Sequence, residues 1–525
     1  MRSSFRAGGS RELSESRQAE PTERAPLLVW VLTAALVFIC ATWSILTPPL
    51  LAPDETSHLS SVLRVADDLS WPDPGEARIP EYVTMLGEER QLAPEDRSVL
   101  SDLAAQHPDA SDRLDQMTQH PPLYYVIAAG VVKIFGAEDW RWDQAALLVR
   151  LLGAILAAPL VWLAWSATRT LTRSRKAGIL AAMAIFLVPG LAQMLGVANN
   201  DTFAILVGSI VAWLSIKILC GDRRRSVLLG LGVAFGLAGL AKGTLLAYGI
   251  LVVLVLLFGA GHPRAWPQRL WQTAWPLLVS LVFGQWWWIR NLVLFGTLQP
   301  YGYLLSDTTW APGTGPSIGD FIDEMWRVTP ATFWGWFGRV NAPLPQILVD
   351  FATVTCIVLV LTGMLRRKKT LRTAAILVSP ILISAVLMLR VSWGAYAETT
   401  AYRGMHGRYF YPFIVLVLAL AALALSNIVR ERSARTALAL GTIAASVAMA
   451  FFGLAVSGIY FYGDDLWAQW RSALTKWIFH SSSLPAGTTT VIAGLACALL
   501  ITGAVMSVRA ILVSPEDREQ RELAG

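Results

Sequence analysis

Long apolar runs alternate with shorter polar connections along almost the whole chain. The runs are roughly 17 to 25 residues long, the length that an α-helix needs to cross the hydrocarbon core of a bilayer. The pattern predicts an all-α polytopic membrane protein whose transmembrane domain covers residues 27–510. About twelve spanning helices are predicted, near residues 27–48, 147–168, 177–198, 202–219, 227–241, 243–260, 273–290, 346–364, 374–390, 408–428, 436–461 and 487–509.

The polar connections form two groups that alternate along the chain. One group is short and basic, as in GDRRRS (221–226) and RRKKTLR (366–372). Because positively charged loops stay on the cytoplasmic side, this group predicts the cytoplasmic face. The polar residues 1–26 fall on that side and are predicted to form a disordered tail, and residues 511–525 form a second cytoplasmic tail.

The connections on the opposite, extracytoplasmic face are longer. Residues 49–146 contain 18 acids against seven bases, and residues 291–345 are rich in Trp, Gly and Pro. Residues 120–136 are apolar but short for a span, so they are predicted to be an interfacial or re-entrant helix anchored by Tyr124 and Tyr125. A large aqueous surface on one face predicts that this face carries the function.

Composition narrows the class of protein. Hydrophobic residues make up 54% of the 525 residues and charged residues only 15%, whereas soluble domains have about 25% charged residues. The net charge of +6 does not indicate nucleic-acid binding, because the basic residues lie in short clusters beside the apolar runs. The four cysteines show neither a CxxC pair nor metal-ligand spacing, so we predict no disulfide framework and no zinc site.

The stretch PDETSH (53–58) directly follows the first apolar run. If a helix begins here, Asp54, Glu55 and His58 share one face. One interpretation is a simple helix start, since proline and acids suit a first turn. The other is a catalytic cluster, because a carboxylate beside low-dielectric lipid with a partner histidine can serve as a general base. The two carboxylates could equally hold a divalent cation, Mg²⁺ or Mn²⁺, through oxygen ligands.

Other polar residues fall at the outer ends of the predicted helices. Asp201 either belongs to a tight turn or faces the same cavity as Asp54. Lys242 either snorkels to the surface or faces the bundle interior, as ionisable residues within membrane segments usually do. Because arginine grips phosphate with a bidentate fork, the basic residues at this level are predicted to bind the phosphate of a substrate. They are Lys242, Arg290, Arg403, His406 and Arg408.

Aromatic and amide side chains accompany these charges. The run of Trp286, Trp287 and Trp288 fits an interfacial aromatic belt better than a sugar platform. Residues from several outer connections are expected to line one substrate cavity. They are His120, Tyr124, Asn200, Asp201, Asn291, Trp334, Arg339 and Asn341.

Seven short elements occur in an order that resembles the GT-C superfamily of membrane glycosyltransferases. They are PDETSH, HPPLYY, NND, GLAKG, WWIRN, FWGWFGRVN and GRYFYP, between residues 48 and 412. Within that superfamily the chain looks most like a bacterial family of predicted membrane proteins of unknown function, domain of unknown function 2142. The resemblance implies a GT-C-like bundle with a long helical first extracytoplasmic loop. It also implies that an acid of that loop is the catalytic base, and whether this is Asp54 or Glu55 stays open.

The function predicted from this resemblance is that of an extracytoplasmic glycosyltransferase in the cell membrane. It would move a sugar from a polyprenyl-phosphate donor to a cell-envelope glycan, lipid or protein acceptor. The chain contains no G-x-x-x-x-G-K-[ST] loop and no Rossmann fingerprint, in keeping with a donor that is not a nucleotide. One alternative is a lipid-linked-sugar transporter or flippase, which should show broken helices and charges deep inside its spans. The other is a non-catalytic envelope-assembly protein.

Overall fold

A computed structural model describes residues 25–301, 308–366 and 368–513, so the two predicted tails lie almost entirely outside the described residues. Within these residues the regular secondary structure is helical apart from two short pairs of strands. The helices are α1 (Leu27–Leu46), α2 (Glu55–Asp68), α3 (Glu81–Glu89), α4 (Leu100–Gln106), α5 (Leu123–Phe135), α6 (Trp142–Leu156), α7 (Pro159–Thr172), α8 (Arg175–Ala184), α9 (Pro189–Leu195), α10 (Asp201–Leu219), α11 (Arg225–Gly239), α12 (Tyr248–Phe258), α13 (Trp266–Ser280), α14 (Trp286–Phe295), α15 (Ile318–Trp334), α16 (Gln346–Leu365), α17 (Lys368–Thr399), α18 (Ile414–Ile428), α19 (Arg432–Tyr462), α20 (Trp470–Lys476) and α21 (Ala486–Leu512).

Nine helical segments of the described residues are long and apolar enough to cross a membrane. They are α1, α6 with α7, α10, α13 with α14, α16, α17, the turn 407–413 with α18, α19, and α21. The pair α8 and α9 makes a tenth if it is counted as one bent span. The two remaining predicted spans, 227–241 and 243–260, correspond to α11 and α12, which are apolar but shorter than 18 residues. Helices therefore occupy all the predicted positions, and the all-α polytopic class is confirmed, although fewer than twelve segments reach spanning length.

The span predicted at 177–198 is broken. Helices α8 and α9 meet at 75° after a turn at Ile185–Leu187. Pro189 is the first residue of α9, and because it has no backbone N–H to donate, the preceding helix cannot continue through it. The short α9 packs against α1, α15 and α19 and leads into the segment that contains Asn199 and Asn200.

The core lies around α1 and α10. Helix α1 packs against α21, α6 and α7, and α10 packs against α7, α11 and α12. The largest buried side chain of α1, Trp43, lies 4.9 Å from the ring of Phe337. Large apolar side chains remain exposed on the outer helices, for example Val293 of α14 at 76% and Ile347 of α16 at 82%. These faces suit contact with lipid, because a bilayer core accepts apolar side chains without cost.

The long first loop is helical, as predicted. Helix α2 packs against α5, and strand β1 (Arg78–Pro80) pairs antiparallel with β2 (Ala110–Leu114). A second hairpin joins β3 (Trp336–Phe337) to β4 (Ala342–Pro343). Helix α5 has 13 residues, too few for the roughly 20 that a span needs. Its length agrees with an interfacial helix at 120–136, which stays a prediction.

Candidate active site

The segment 47–54 joins α1 to α2 in a strained backbone conformation. Leu50 and Asp54 have φ values of 64° and 58°, in the left-handed region that glycine adopts most easily. Aspartate tolerates this region better than most residues, and such strain persists only where surrounding contacts hold it. The side chains that hold this segment therefore determine where Asp54 points.

A buried ion pair holds one side of the segment. Arg150 of α6 donates to both carboxylate oxygens of Glu55, from Nε to Oε1 and from Nη2 to Oε2, each at 2.6 Å. The same guanidinium donates to the carbonyl oxygens of Ser44 (2.7 Å), Thr47 (2.6 Å) and Pro48 (3.1 Å). Burial alone would raise the pKa of the Glu55 carboxyl, but the charge of Arg150 holds that pKa below its ordinary value. Glu55 is therefore an ionised anchor inside the protein.

A second arginine holds the other side of the segment. Arg339, between β3 and β4, donates from Nε to the carbonyl of Leu50 at 2.9 Å and from Nη2 to the hydroxyl of Thr56 at 3.3 Å. Tyr462 of α19 donates to the carbonyl of Leu46, the last residue of α1, at 3.0 Å. Arg339 was predicted to line the substrate cavity, and the structure places it in contact with the loop that carries Asp54.

Asp54 itself lies between two donors. Arg408 Nη2 is 2.7 Å from Oδ2 of Asp54, and Gln116 Nε2 is 3.3 Å from Oδ1. The Asp54 side chain is 39% exposed, whereas that of Arg408 is 11% exposed. Burial would raise the pKa of the Asp54 carboxyl, but the charge of Arg408 and its hydrogen bond lower it to about 2. Both acids are therefore ionised, but Asp54 is accessible to solvent whereas Glu55 is buried.

A second ion pair lies beside the pair formed by Asp54 and Arg408. Lys242 Nζ is 2.5 Å from Oδ1 of Asp201, the first residue of α10. The ring of Tyr409 lies near both cations, 5.3 Å from Lys242 Nζ and 5.7 Å from the guanidinium carbon of Arg408. The structure thus brings Asp54, Asp201, Lys242 and Arg408 into one cluster, although they come from four different parts of the chain.

Three histidines of the site are uncharged at neutral pH. Burial lowers the pKa of His58 and of His406 to about 4, and that of His120 to about 3. His58 Nδ1 is 3.0 Å from the hydroxyl of Tyr125. In this cluster, positive charge therefore comes from Lys242 and Arg408, and His406 would meet a phosphate as a neutral hydrogen-bond donor.

Several buried polar atoms around this cluster have no hydrogen-bond partner among the described residues. Asn200 is 1% exposed, yet both Nδ2 and Oδ1 of its amide are unpaired, and so are Nδ1 of His120 and Nε of Arg408. An unpaired buried polar group costs about 1–3 kcal/mol, so these atoms are available to hydrogen-bond water or a polar ligand. A small cavity beside Arg408 is also lined by Gln193, whose Nε2 is unpaired among the described residues.

The other predicted site residues have different surroundings. Trp334 donates to the hydroxyl of Thr353 at 2.9 Å, and Asn341 is exposed in the turn between β3 and β4. Tyr124 is buried edge-on against Tyr125, with ring centres 5.3 Å apart. Arg403 is half-buried five positions before Arg408.

Arg290 and Asn291 lie at a second cavity, on α14. Arg290 Nη2 is 3.6 Å from Oδ1 of Asp73, and Arg290 Nη1 donates to Oδ1 of Asn291 at 3.2 Å. Asn291 in turn donates to the carbonyl of Leu298 at 3.1 Å. Of the predicted phosphate-binding residues, His406 and Arg408 line the first cavity and Arg290 lines the second.

A divalent cation does not fit the carboxylates that the sequence indicated. The described part of the chain contains no group of three or more His, Cys, Asp and Glu that could hold a metal ion. Both oxygens of Glu55 accept hydrogen bonds from Arg150, and Asp54 is paired with Arg408. Cation ligands need carboxylates that are not neutralised by arginine.

Sequence reasoning missed several residues that organise the site. Arg150 lies within the apolar run ALLVRLLG (146–153), so the rule applied to Lys242 would have found it. Asp115 is fully buried and accepts from Ser61 at 2.8 Å and from Arg64 at 3.0 Å, which fixes the turn that carries Gln116. No local pattern distinguishes Asp115 or Gln116 from other polar residues of the first loop.

The chain matches one family model and several solved structures. The family is described as "Predicted membrane protein (DUF2142)", and its model matches residues 36–417. No curated protein matches the chain. The crystal structure of ArnT from Cupriavidus metallidurans bound to undecaprenyl phosphate is 15% identical, with a TM-score of 0.45, and the match covers 91% of this chain and 77% of ArnT. The Archaeoglobus fulgidus oligosaccharyltransferase in complex with Zn and sulfate is 14% identical, with a TM-score of 0.37, over 80% of this chain and 53% of the other.

Proposed function

This protein belongs to the DUF2142 family of predicted membrane proteins, and we propose that it is an extracytoplasmic glycosyltransferase. Its donor is a polyprenyl-phosphate-linked sugar, and its acceptor belongs to the cell envelope. The observation that carries this proposal is the pairing of an accessible carboxylate, Asp54, with the guanidinium of Arg408 in a site with unpaired buried polar atoms. A membrane-embedded site of this kind suits a substrate that is both lipid-linked and anionic.

Asp54 is the proposed general base. It removes the proton from the acceptor hydroxyl, whose oxygen then bonds to the anomeric carbon of the donor sugar. The bond between that carbon and the phosphate oxygen breaks, and its electron pair leaves with the polyprenyl phosphate. Of the two acids that the sequence left open, we assign this role to Asp54, because Glu55 is buried and bound on both oxygens by Arg150.

Donor binding would itself activate the base. In the free protein Arg408 holds the pKa of the Asp54 carboxyl at about 2, too low for an efficient base near neutral pH. A donor phosphate that binds Arg408 replaces the Asp54 carboxylate as its partner. The burial that raises the pKa of Asp54 is then opposed by less positive charge. Base strength and donor occupancy are thereby coupled.

The leaving phosphate gains negative charge as the sugar departs. Lys242 and Arg408 lie near the same Tyr409 ring and can share that charge. The neutral His406 and the unpaired amide of Asn200 can add hydrogen bonds without adding charge. His58, in the first turns of α2, is neutral at physiological pH, and no proton-transfer step is assigned to it.

A transporter of lipid-linked sugars is the second candidate, since one span is broken at 75° between α8 and α9. The two candidates differ in one measurable property. A transporter needs two compartments, whereas a transferase consumes its donor in detergent solution. Donor consumption by the solubilised protein therefore supports transfer, and a transport signal without consumption contradicts it.

The experiment for this proposal is gene deletion with complementation. Envelope glycans and polyprenyl-phosphate sugars are measured by mass spectrometry in cells that carry wild type, Asp54→Asn, or Asp112→Asn as an exposed control acid of the same loop. We expect the deletion and Asp54→Asn to lose a glycan and to accumulate its donor, because a missing base costs roughly 10²- to 10⁴-fold in rate. Full complementation by Asp54→Asn would contradict the assignment of the base.

A further inference from the structure

The hairpin of β3 and β4 places one arginine against the loop that carries Asp54. Arg339 lies in the turn between the two strands, 289 positions from Leu50 in the chain, and its Nε donates to the carbonyl oxygen of Leu50 at 2.9 Å. Its Nη2 donates to the hydroxyl of Thr56 at 3.3 Å. Leu50 and Thr56 lie on opposite sides of Asp54 in the sequence, so one guanidinium holds the backbone on both sides of the proposed base.

The backbone around this guanidinium is strained on both partners. Leu50 and Asp54 have φ values of 64° and 58°, and Val340, next to Arg339, has a φ of 65°. A β-branched residue such as Val340 is rarely found in this region, and conformations of this kind persist only where surrounding contacts hold them. The hairpin turn and the Asp54 loop therefore hold each other in place.

The hairpin itself is fixed to the core of the protein. Phe337 of β3 is fully buried, and its ring centre lies 4.9 Å from that of Trp43 of α1. The backbone N–H of Asn341 donates to the carbonyl of Phe337 at 3.1 Å, and that of Leu344 donates to the carbonyl of Gly335 at 2.9 Å. Arg339 thus extends from a rigid support, which the precise placement of a reacting group requires.

Arg339 binds the loop, whereas other side chains bind the carboxylate. The two oxygens of Asp54 accept from Arg408 and from Gln116, and the hydrogen bonds of Arg339 go to Leu50 and Thr56. An effect of Arg339 on the acid therefore passes through the backbone of the loop. Because Arg339 as a residue is exposed, its replacement leaves no buried void.

We propose that Arg339 is a positioning residue for the general base, which keeps the Asp54 carboxylate against Arg408 by binding the loop on both sides of it. This inference rests on the proposed function and deepens it, because it makes the segment 291–345 a part of the site that acts without touching the substrate. The sequence predicted Arg339 as a residue of the substrate cavity. On the present inference it acts through Asp54 instead.

The first test is a double-mutant cycle on the melting temperature of the purified full-length protein, with no ligand added. It compares wild type, Arg339→Gln, Asp54→Asn and the double variant. If Arg339 keeps Asp54 paired with Arg408, Arg339→Gln should lower the melting temperature less in the Asp54→Asn background, because the ion pair that it maintains is already lost there. Additive effects of the two substitutions would overturn the proposal, whatever the substrate of the protein is.

The matched control for this cycle is Arg327→Gln. Arg327 is an exposed arginine whose guanidinium carbon lies 5.2 Å from the ring centre of Trp336, in the same hairpin, and it is paired with Glu324. It contacts the hairpin without binding the Asp54 loop, so its effect should add to that of Asp54→Asn. Equal coupling of Arg327 and Arg339 to Asp54 would mean that any damage to the hairpin reaches the acid, and would overturn a specific role for Arg339.

The second test measures the affinity of the same four proteins for undecaprenyl phosphate, in nanodiscs, by native mass spectrometry. A loosened Asp54 competes less for Arg408, so Arg339→Gln should bind this probe up to about fivefold more tightly than wild type. It should change nothing further in the Asp54→Asn background. Weaker binding in both backgrounds would mean that Arg339 contacts the phosphate itself, and unchanged affinity in the wild-type background would mean that it serves only the fold; either result overturns the proposal.

Two conservative variants separate the geometry of Arg339 from its charge. Thr56→Val keeps the shape of the side chain and removes only the contact with Nη2, so it should shift the affinity in the same direction as Arg339→Gln but by less. Arg339→Lys keeps the charge but cannot reproduce the planar fork, so it should resemble Arg339→Gln. Wild-type affinity in Arg339→Lys would overturn the proposal. If wild type does not bind the probe, the proposed donor fails and the ligand-free cycle alone decides the role of Arg339.

Discussion

Arg150 and Glu55 lie 95 positions apart in the chain and form a two-contact ion pair, at 2.6 Å for each contact, in which both residues are only 2% exposed. The pair does not face solvent or a cavity lined by the proposed substrate groups. Its role is to fix the backbone of segment 47–54, since the same guanidinium binds three carbonyl oxygens of that region. The acid next to the proposed base is thus a structural support for it.

The first prediction concerns this ion pair. Arg150→Ala should lower the free energy of unfolding by about 3–5 kcal/mol, because it leaves a buried carboxylate without its partner. Glu55→Gln should cost less, because the amide oxygen can still accept from Arg150. Thermal melting in detergent checks both. A neutral effect of Arg150→Ala would contradict the ion pair as the anchor of the loop.

The sign of the pH effect follows from the lowered pKa of Glu55. A carboxyl group whose pKa is lower in the folded state stabilises the protein above its unfolded pKa, and this contribution is lost as pH falls through the folded value. In Arg150→Ala the pKa of Glu55 is no longer held down, since burial is the largest influence on it. Protonation of Glu55 then no longer destabilises the folded state, so Arg150→Ala should lose less stability on acidification than wild type does.

The second prediction concerns the buried histidines. Burial lowers the pKa of His120 to about 3. Its imidazole therefore takes up a proton in the unfolded chain below pH 6.5 but stays neutral in the folded protein. Stability should fall as pH drops from about 6.5 toward about 4. His120→Gln should make this fall shallower, measured by melting temperature against pH. His262→Gln, a half-buried control at the predicted cytoplasmic end, should leave it unchanged.

The third prediction is topological. The acidic first loop and the basic connections predict opposite faces of the membrane. A reporter fused at Ala110, the exposed start of β2, should read as extracytoplasmic, and one fused at Arg224, between α10 and α11, as cytoplasmic. The reverse pattern would place the candidate site on the face where no polyprenyl-phosphate transferase of the proposed kind could work.

The helices could be predicted from the sequence because a long apolar run in a membrane must satisfy its own backbone hydrogen bonds, and a helix does this. The site could be predicted only as a set of outward-lying polar residues. Asp54 and Arg408 are 354 positions apart, and nothing local determines that they pair. The charge of Arg150 within an apolar run was a usable signal. The different roles of Asp54 and Glu55 could not be predicted, because the arginines that bind these adjacent residues lie in distant parts of the chain.

The fourth prediction separates donor binding from base catalysis, because Asp54 and a donor phosphate would compete for Arg408. Arg408→Lys should weaken the affinity for polyprenyl phosphate, since a point charge cannot reproduce the planar guanidinium fork. A hydrogen bond to a charged group contributes about 1.5–3 kcal/mol, so the loss should be roughly ten- to a hundredfold. Arg113→Gln, at an exposed arginine of the first loop, is the control and should have little effect.

Asp54→Asn should change the same affinity in the opposite direction. In wild type the Asp54 carboxylate occupies Arg408 Nη2 at 2.7 Å and adds a negative charge near the phosphate position. The amide removes that charge and frees the guanidinium, so polyprenyl phosphate should bind more tightly although transfer is lost. Calorimetry or native mass spectrometry of the purified variants measures both effects. Weaker binding by Asp54→Asn would mean that the phosphate does not replace Asp54 at Arg408, and that Arg408 serves only to hold the acid in place.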